Sequence, residues 1–209
     1  CAASGQLRLL GWRPGAFSHI FIDESCQSLE AEALVPLSLA APSATVVLCG
    51  DPKQLGSSVR SPVARRLGLT TSLQERLMRH YGQHHGETGN VVMLHENFRS
   101  HLEILRIPSE LFYEGKLVEK GNRAVTHSLL GWERLSFRKF PMFFQGVIGE
   151  DMADIDSPSY FNVVEAASVV SVISEILSSQ QIQVSTADIG VIAAFRQQVL
   201  RLRKLLRAK

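Results

Sequence analysis

At 209 residues the chain has room for one large domain or two small ones. Its 45% hydrophobic and 20% charged content is that of a globular protein rather than a disordered one. A net charge of +2 does not by itself demand a polyanionic partner. No membrane span is expected either: the most apolar stretch, residues 33–50, is interrupted by Pro36 and Pro42 and falls short of the ~20 apolar residues a span needs. The chain opens on cysteine with no initiator methionine and no secretory signal, as expected for a piece of something longer. Cys1, Cys26 and Cys49 have no metal-ligand spacing and read as reduced core thiols of an intracellular protein.

Short runs rich in β-branched or aromatic residues recur along the chain, at residues 17–22, 45–49, 91–94, 141–147 and 189–193. Between them, residues 28–39, 72–81, 102–112 and 163–177 space their apolar side chains as helices do. That alternation predicts an α/β fold with mainly parallel sheets. Residues 82–89, "GQHHGETG", are polar and glycine-rich, and are the natural linker between residues 1–84 and 85–209. Residues 149–159 pack four acids into an expected solvated loop, since a calcium loop would need a glycine and a closing glutamate at offsets where neither stands. His84-His85 lacks a third ligand at metal spacing.

The chemistry concentrates where apolar runs end. "HIFIDESCQ" drives Ile20, Phe21 and Ile22 inward and then presents Asp23 and Glu24 side by side. Two adjacent carboxylates at a buried strand's carboxyl edge suit a cation, because ligands of open α/β sheets bind at that edge. The ordinary alternative is a strand that ends in a solvated acidic turn. A second junction follows by one helix: "VVLCGDPKQLG" runs a strand into Gly50, Asp51, Pro52, Lys53 and Gln54. Glu24 and Asp51 are about 27 residues apart, the length of a repeated βα unit, so neighbouring parallel strands are expected to bring Gln54 near Asp23 and Glu24. Such an array suits a magnesium-bound phosphate, with one carboxylate for the metal, one for an attacking water and an amide to sense the γ-phosphate. The competing reading makes Asp51 merely the acid of a capping turn. In "HENFRSHLEI", Arg99 offers a forked, permanent cation and Phe98 a flat face for a base. Taken alone, that pair is more simply a core aromatic and a solvated arginine at a helix start.

Five segments in order, "FSHIFIDES", "LCGDPKQLG", "ENFRSHLEILRIPSELFYEGKL", "SPSYFNVVEAA" and "IGVIAAFRQQV", resemble the Upf-like superfamily-one RNA helicases, nearest to their RNA-silencing Mov-ten and Armitage branch. The resemblance covers essentially the whole chain. It implies two incomplete RecA-like, P-loop NTPase domains meeting at an ATP cleft, the slice running from late in the first domain into most of the second. By that resemblance Asp23 holds Mg2+ through its water shell and Glu24 activates the hydrolytic water. Gln54 contacts the γ-phosphate, on the turn that Asp51 opens beside the nucleotide. Arg99 reaches the same phosphate, and Phe98 stands where the family stacks a tyrosine on adenine. Glu165 matches the ribose-side glutamate. Phe195 and Arg196 lie in a motif that follows the RNA backbone. The implied cofactors are ATP and Mg2+. The implied partners are single-stranded RNA, with DNA not excluded, and RNA-silencing or mRNA-decay proteins. The implied compartment is the cytoplasm with its ribonucleoprotein granules.

Some positions depart from the family pattern. Ser25-Cys26 replaces alanine-glycine after the acids, and Ala193-Ala194-Phe195 replaces threonine-proline-tyrosine, which predicts a weaker RNA contact. No G-x-x-x-x-G-K-[ST] loop occurs in the sequence, so these residues alone are expected to hydrolyse no ATP. The late second-domain motifs are expected beyond Lys209. The closing helix carries Val199, Leu202, Leu205 and Leu206 on one face, opposite Arg201, Arg203, Lys204 and Arg207, which read as a solvated face before they read as phosphate contacts. Two other functions stay open at this point: a non-catalytic binding module with the same fold, and a DNA-directed helicase.

Overall fold

Alternation along Phe17–Ile22 decides how the first strand sits. The structure, a computed structural model, describes residues 1–82, 89–137, 140–154 and 157–208. Its chain folds as two units, Cys1–Leu94 and His95–Lys209. The expected boundary after residue 84 and the His84-His85 pair lie outside the described residues.

In the first unit, a short helix α1 (Gln6–Leu9) precedes strand β1 (Phe17–Ile22). Helix α2 (Glu30–Leu37) then crosses to strand β2 (Ala40–Leu48), and α3 (Pro62–Arg66) and α4 (Leu73–Gly82) follow. β1 and β2 pair in parallel, with Ile20 opposite Val46, Phe21 opposite Val47 and Ile22 opposite Leu48. Ile20, Ile22, Ala33 of α2 and Leu73 of α4 form the buried cluster, with Leu37, Leu48 and Leu77 packed around it. Full burial of one such aliphatic side chain contributes about 1.5–3 kcal/mol, so this face fixes the strand. The opposite face departs from expectation. Phe21 is 69% exposed, on the strand face turned away from the Ile20–Ile22 cluster. All three cysteines are free, yet only Cys26 is buried; Cys1 and Cys49 are exposed.

In the second unit, β3 (Glu96–Asn97) pairs in parallel with β4 (Val118–Glu119), and α5 (Leu102–Phe112) lies between them in the chain. A short helix α6 (Arg123–Thr126) comes next. The acidic stretch expected as a loop instead contains an antiparallel pair, β5 (Met152–Asp154) and β6 (Ser157–Phe161). Residues 155 and 156, between these strands, are outside the described set. Helices α7 (Val163–Ser178) and α8 (Arg196–Arg207) complete the unit. Trp132, Leu135 and Ile182 form its buried cluster, with Val172 and Ile176 of α7 against it. The apolar runs 91–94, 141–147 and 189–193 belong to no ladder among the described residues. Several of their side chains, Leu94, Phe144 and Ile192 among them, are largely exposed. No described helix is long and apolar enough to cross a membrane.

Candidate functional site

The parallel register carries two turns to one sheet edge. β1 ends at Ile22 directly opposite Leu48 of β2, so Asp23 and Cys49 follow side by side. Backbone bonds extend the pairing past the strands: Cys49 N donates to Ile22 O at 2.8 Å, and Ser25 N donates to Cys49 O at 2.8 Å. Asp23 and Glu24 are both exposed there. Asp23 Oδ1 accepts from Glu24 N at 3.0 Å. Glu24 adopts the left-handed conformation, φ 52° and ψ 34°, uncommon for a residue with a side chain. Strain of that kind persists only where the surroundings over-determine it, and it concentrates at functional sites. Its Oε2 accepts from Gln27 Nε2 at 2.9 Å, which aims the carboxylate.

The second turn is closed by Asp51, whose Oδ1 accepts from Lys53 N at 2.9 Å. The Gln54 amide donates to Asp51 Oδ2 at 2.8 Å, so the structure turns this side chain onto its own acid rather than onto Asp23 or Glu24. Gly50 begins the turn at a point where a side chain would crowd its neighbours. A Cβ there would meet Gln74 Oε1 at 2.6 Å, Cys26 N at 3.0 Å and Ser25 N at 3.1 Å. Beneath both turns lies Gln74 of α4, which sequence reasoning missed. It is 9% exposed, accepts from Ser25 Oγ and donates through Nε2 to Gly50 O at 3.0 Å. Two further contacts fasten α4 to the same segment. Ser72 hydrogen-bonds the Cys26 thiol, and Arg76 forks onto Glu30 at 2.9 and 2.7 Å. Burial pushes the Cys26 thiol up, so it stays protonated. The Arg76 hydrogen bond holds Glu30 below the usual carboxylate range.

In the second unit, the chain turns after β3 at Phe98 and Arg99. Asn97 Oδ1 accepts from Arg99 N and Ser100 N at 3.0 and 2.9 Å, which folds the chain sharply after β3. That fold leaves Phe98 69% exposed and Arg99 exposed, with no ion-pair partner for the guanidinium among the described residues. Gly121 packs against the Phe98 carbonyl, where a Cβ would approach the oxygen to 3.1 Å. Glu165 sits exposed in the first turn of α7, its N–H capped by Asn162 Oδ1 at 3.1 Å. It lines a groove of about 700 Å³ together with Phe144, Val169 and Ile192. Phe195 packs edge-to-face on Tyr160, ring centroids 5.5 Å apart, and Arg196 opens α8 in solvent. No side chain of its own caps α8; Ser159 Oγ accepts from Gln197 N at 3.1 Å instead. Gln198, also missed, is buried and grips Asn162 twice. It accepts from Asn162 N at 2.9 Å and donates to Asn162 O at 3.2 Å. Arg201 lies 3.5 Å over the Phe161 ring, so this basic residue of α8 is engaged within the fold.

Each missed glutamine carried a signal. Gln74 stands four residues before Met78 and seven before Tyr81, and Gln198 four before Leu202, so each is a polar group on an apolar helical stripe. A buried amide there needs partners on another element.

Two family models, each described as an AAA domain, match residues 69–209 and 1–62. The chain belongs to the AAA domain family. The matching models are those of the Upf-like superfamily-one helicases, whose domains have the RecA-like P-loop NTPase fold. Among its relatives, the RNA helicase Mov10l1 of Homo sapiens is 40% identical over 218 residues, covering 99% of this chain and 18% of the relative. Mov10l1 of Mus musculus is 38% identical over 218 residues, with the same coverage of 99% and 18%. The chain therefore spans about a fifth of the length of the relatives it matches. Within this AAA domain chain, the acids and the Gly50 turn belong to the first unit, and Phe98, Arg99, Glu165, Phe195 and Arg196 to the second.

Proposed function

We propose that the chain carries the water-activating and phosphate-sensing part of an ATP-dependent RNA helicase or ribonucleoprotein remodeller. The observation that carries this reading is the shared edge of β1 and β2, which releases Asp23–Glu24 and Gly50–Gln54 side by side with Glu24 in a strained, held conformation. The RNA-helicase name of its relatives supports the same class.

The residues present fit the metal side of such a site. Mg2+ keeps several waters and takes one or two carboxylates plus substrate phosphates, and Asp23 offers a hard oxygen donor at an exposed edge. Bound to ATP, that ion would neutralise charge on the phosphoryl oxygens. Glu24 takes a proton from the attacking water. Gln54, whose Nε2 donates one N–H to Asp51 here, has its second amide N–H for a γ-phosphate oxygen. Within the second unit, Arg99 is a forked cation of the kind that suits a phosphoryl group, and Phe98 an exposed face of the kind that suits a base. Glu165 stands for the ribose, and Phe195 with Arg196 for the RNA backbone. The phosphate cradle is no part of these residues, which contain no G-x-x-x-x-G-K-[ST] loop. The cytoplasmic compartment and silencing or decay partners rest on the resemblance alone.

RNA specificity is tested by comparing ATP turnover of the full-length parent with single-stranded RNA and with DNA of matching sequence, alongside unwinding of matched duplexes. RNA is expected to stimulate more. Equal or greater stimulation by DNA would move the protein to the DNA-directed helicases. Absence of turnover with either strand would favour a binding module.

A further inference from the structure

Resting on the ATPase reading, we propose that Gln74 is a positioning residue that fastens the Asp23–Glu24 turn to the Gly50–Gln54 turn and so holds Glu24 in its catalytic conformation. Only a primary amide carries a carbonyl acceptor and N–H donors on one rigid group, and this one uses both: Oε1 takes the Ser25 hydroxyl, and Nε2 serves the Gly50 carbonyl. Ser25 is 1% exposed and directly follows Glu24, so fixing Ser25 fixes the far side of the left-handed residue. The near side is fixed by β1, whose last residue, Ile22, pairs with Leu48. Glu24 is thereby held at both ends, which is what a strained backbone position requires. Gly50 leads the turn that bears Gln54, so one amide sets the spacing of the proposed base and the proposed phosphate sensor. α4 carries this amide on a firm seat, with Leu73 in the β1 core and Ser72 and Arg76 bonded to the segment after Glu24.

The test is a double-mutant cycle in the full-length parent, reading RNA-stimulated kcat, KM for ATP and melting temperature for Ser25→Ala, Gln74→Leu and the pair together. Gln74→Leu is expected to lower kcat by up to about 10²-fold, as sub-ångström to ångström misplacement of a reacting group does. KM for ATP should barely move. Ser25→Ala, which deletes one oxygen and leaves the Gly50 bond, should lower kcat less. Both substitutions cut the same bridge, so the double variant should lose no more than the worse single one. Lower melting temperature with unchanged kcat per folded molecule would make the bridge merely structural and overturn the proposal. Multiplying effects in the double variant would overturn it too. If Gln74→Leu does not fold, unchanged kcat in Ser25→Ala decides against it and reduced kcat at constant KM decides for it. Glu24→Gln run in parallel separates the two layers. An inactive Glu24→Gln beside a fully active Gln74→Leu sinks only the positioning role, whereas an active Glu24→Gln removes the ATPase reading and this proposal with it.

Discussion

Both units use a buried glutamine to tie chain segments together, and they use it differently. In the first, Gln74 joins two chain segments, a hydroxyl after β1 and a carbonyl after β2. In the second, Gln198 closes on the N–H and C=O of the single residue Asn162, much as a ladder partner would. The cargo differs as well. The first unit presents acids already engaged by neighbours: Asp23 by Glu24 N, Glu24 by Gln27 and Asp51 by Lys53 N and Gln54. The second presents Arg99 on a loop whose backbone is bonded and Arg196 at the first position of α8, both side chains standing in solvent. Holding like charges together requires internal partners, because adjacent carboxylates repel. A single solvated cation needs only a firm backbone beneath it.

That contrast is broken most directly at Arg99. Since its guanidinium supports nothing among the described residues, Arg99→Ala in the full-length parent should leave melting temperature and nucleotide-free RNA binding intact. RNA-stimulated ATP turnover should nevertheless fall on the order of 10³–10⁵-fold, the loss typical of a finger-type arginine. Arg99→Lys should recover little, because a point charge cannot reproduce the fork. Wild-type turnover in a well-folded Arg99→Ala protein would leave the second unit's cations without a catalytic role.

A smaller effect sharpens the comparison at Gln198. Gln198→Leu strands the N–H of Asn162, whose carbonyl keeps the bond from Ala166 N at 3.1 Å; Asn162 is 4% exposed and also caps α7 through Val164 N and Glu165 N. Loss of stability should be about 1–3 kcal/mol, the usual cost of an unsatisfied buried group, and is read by denaturant unfolding of the parent. If Gln198 resembles a ladder partner rather than Gln74, turnover per folded molecule should change little. A large fall in kcat at normal stability would make the two glutamines equivalent.

How far these features were legible follows from what is local. Helix α5 forms over the residues that its apolar spacing marks, and β1 over its apolar run, because both patterns lie within one element. Asp23, Glu24, Asp51 and Gln54 are recognisable from the order of their motifs, while the Gln54–Asp51 bond depends on a turn geometry that residue types do not specify. Residues 91–94, 141–147 and 189–193 look like strands, but a ladder needs a partner distant in sequence, and composition says nothing of that partner. The stretch 149–159 looks like a loop because it is rich in acids, yet an acidic stretch can also form an antiparallel pair such as β5–β6. Gln74 and Gln198 stayed hidden because their meaning lies in Ser25, Gly50 and Asn162, which are 49, 24 and 36 residues away.

The central claim is that the edge shared by β1 and β2 activates water for ATP hydrolysis, and Glu24→Gln in the full-length parent tests it most directly. The amide keeps the size of the side chain and removes the base. Nucleotide affinity, measured by equilibrium titration with ATP and magnesium, should match wild type, while steady-state turnover with saturating RNA falls on the order of 10²–10⁴-fold. Turnover at the wild-type rate, or an affinity that collapses along with it, would contradict the account.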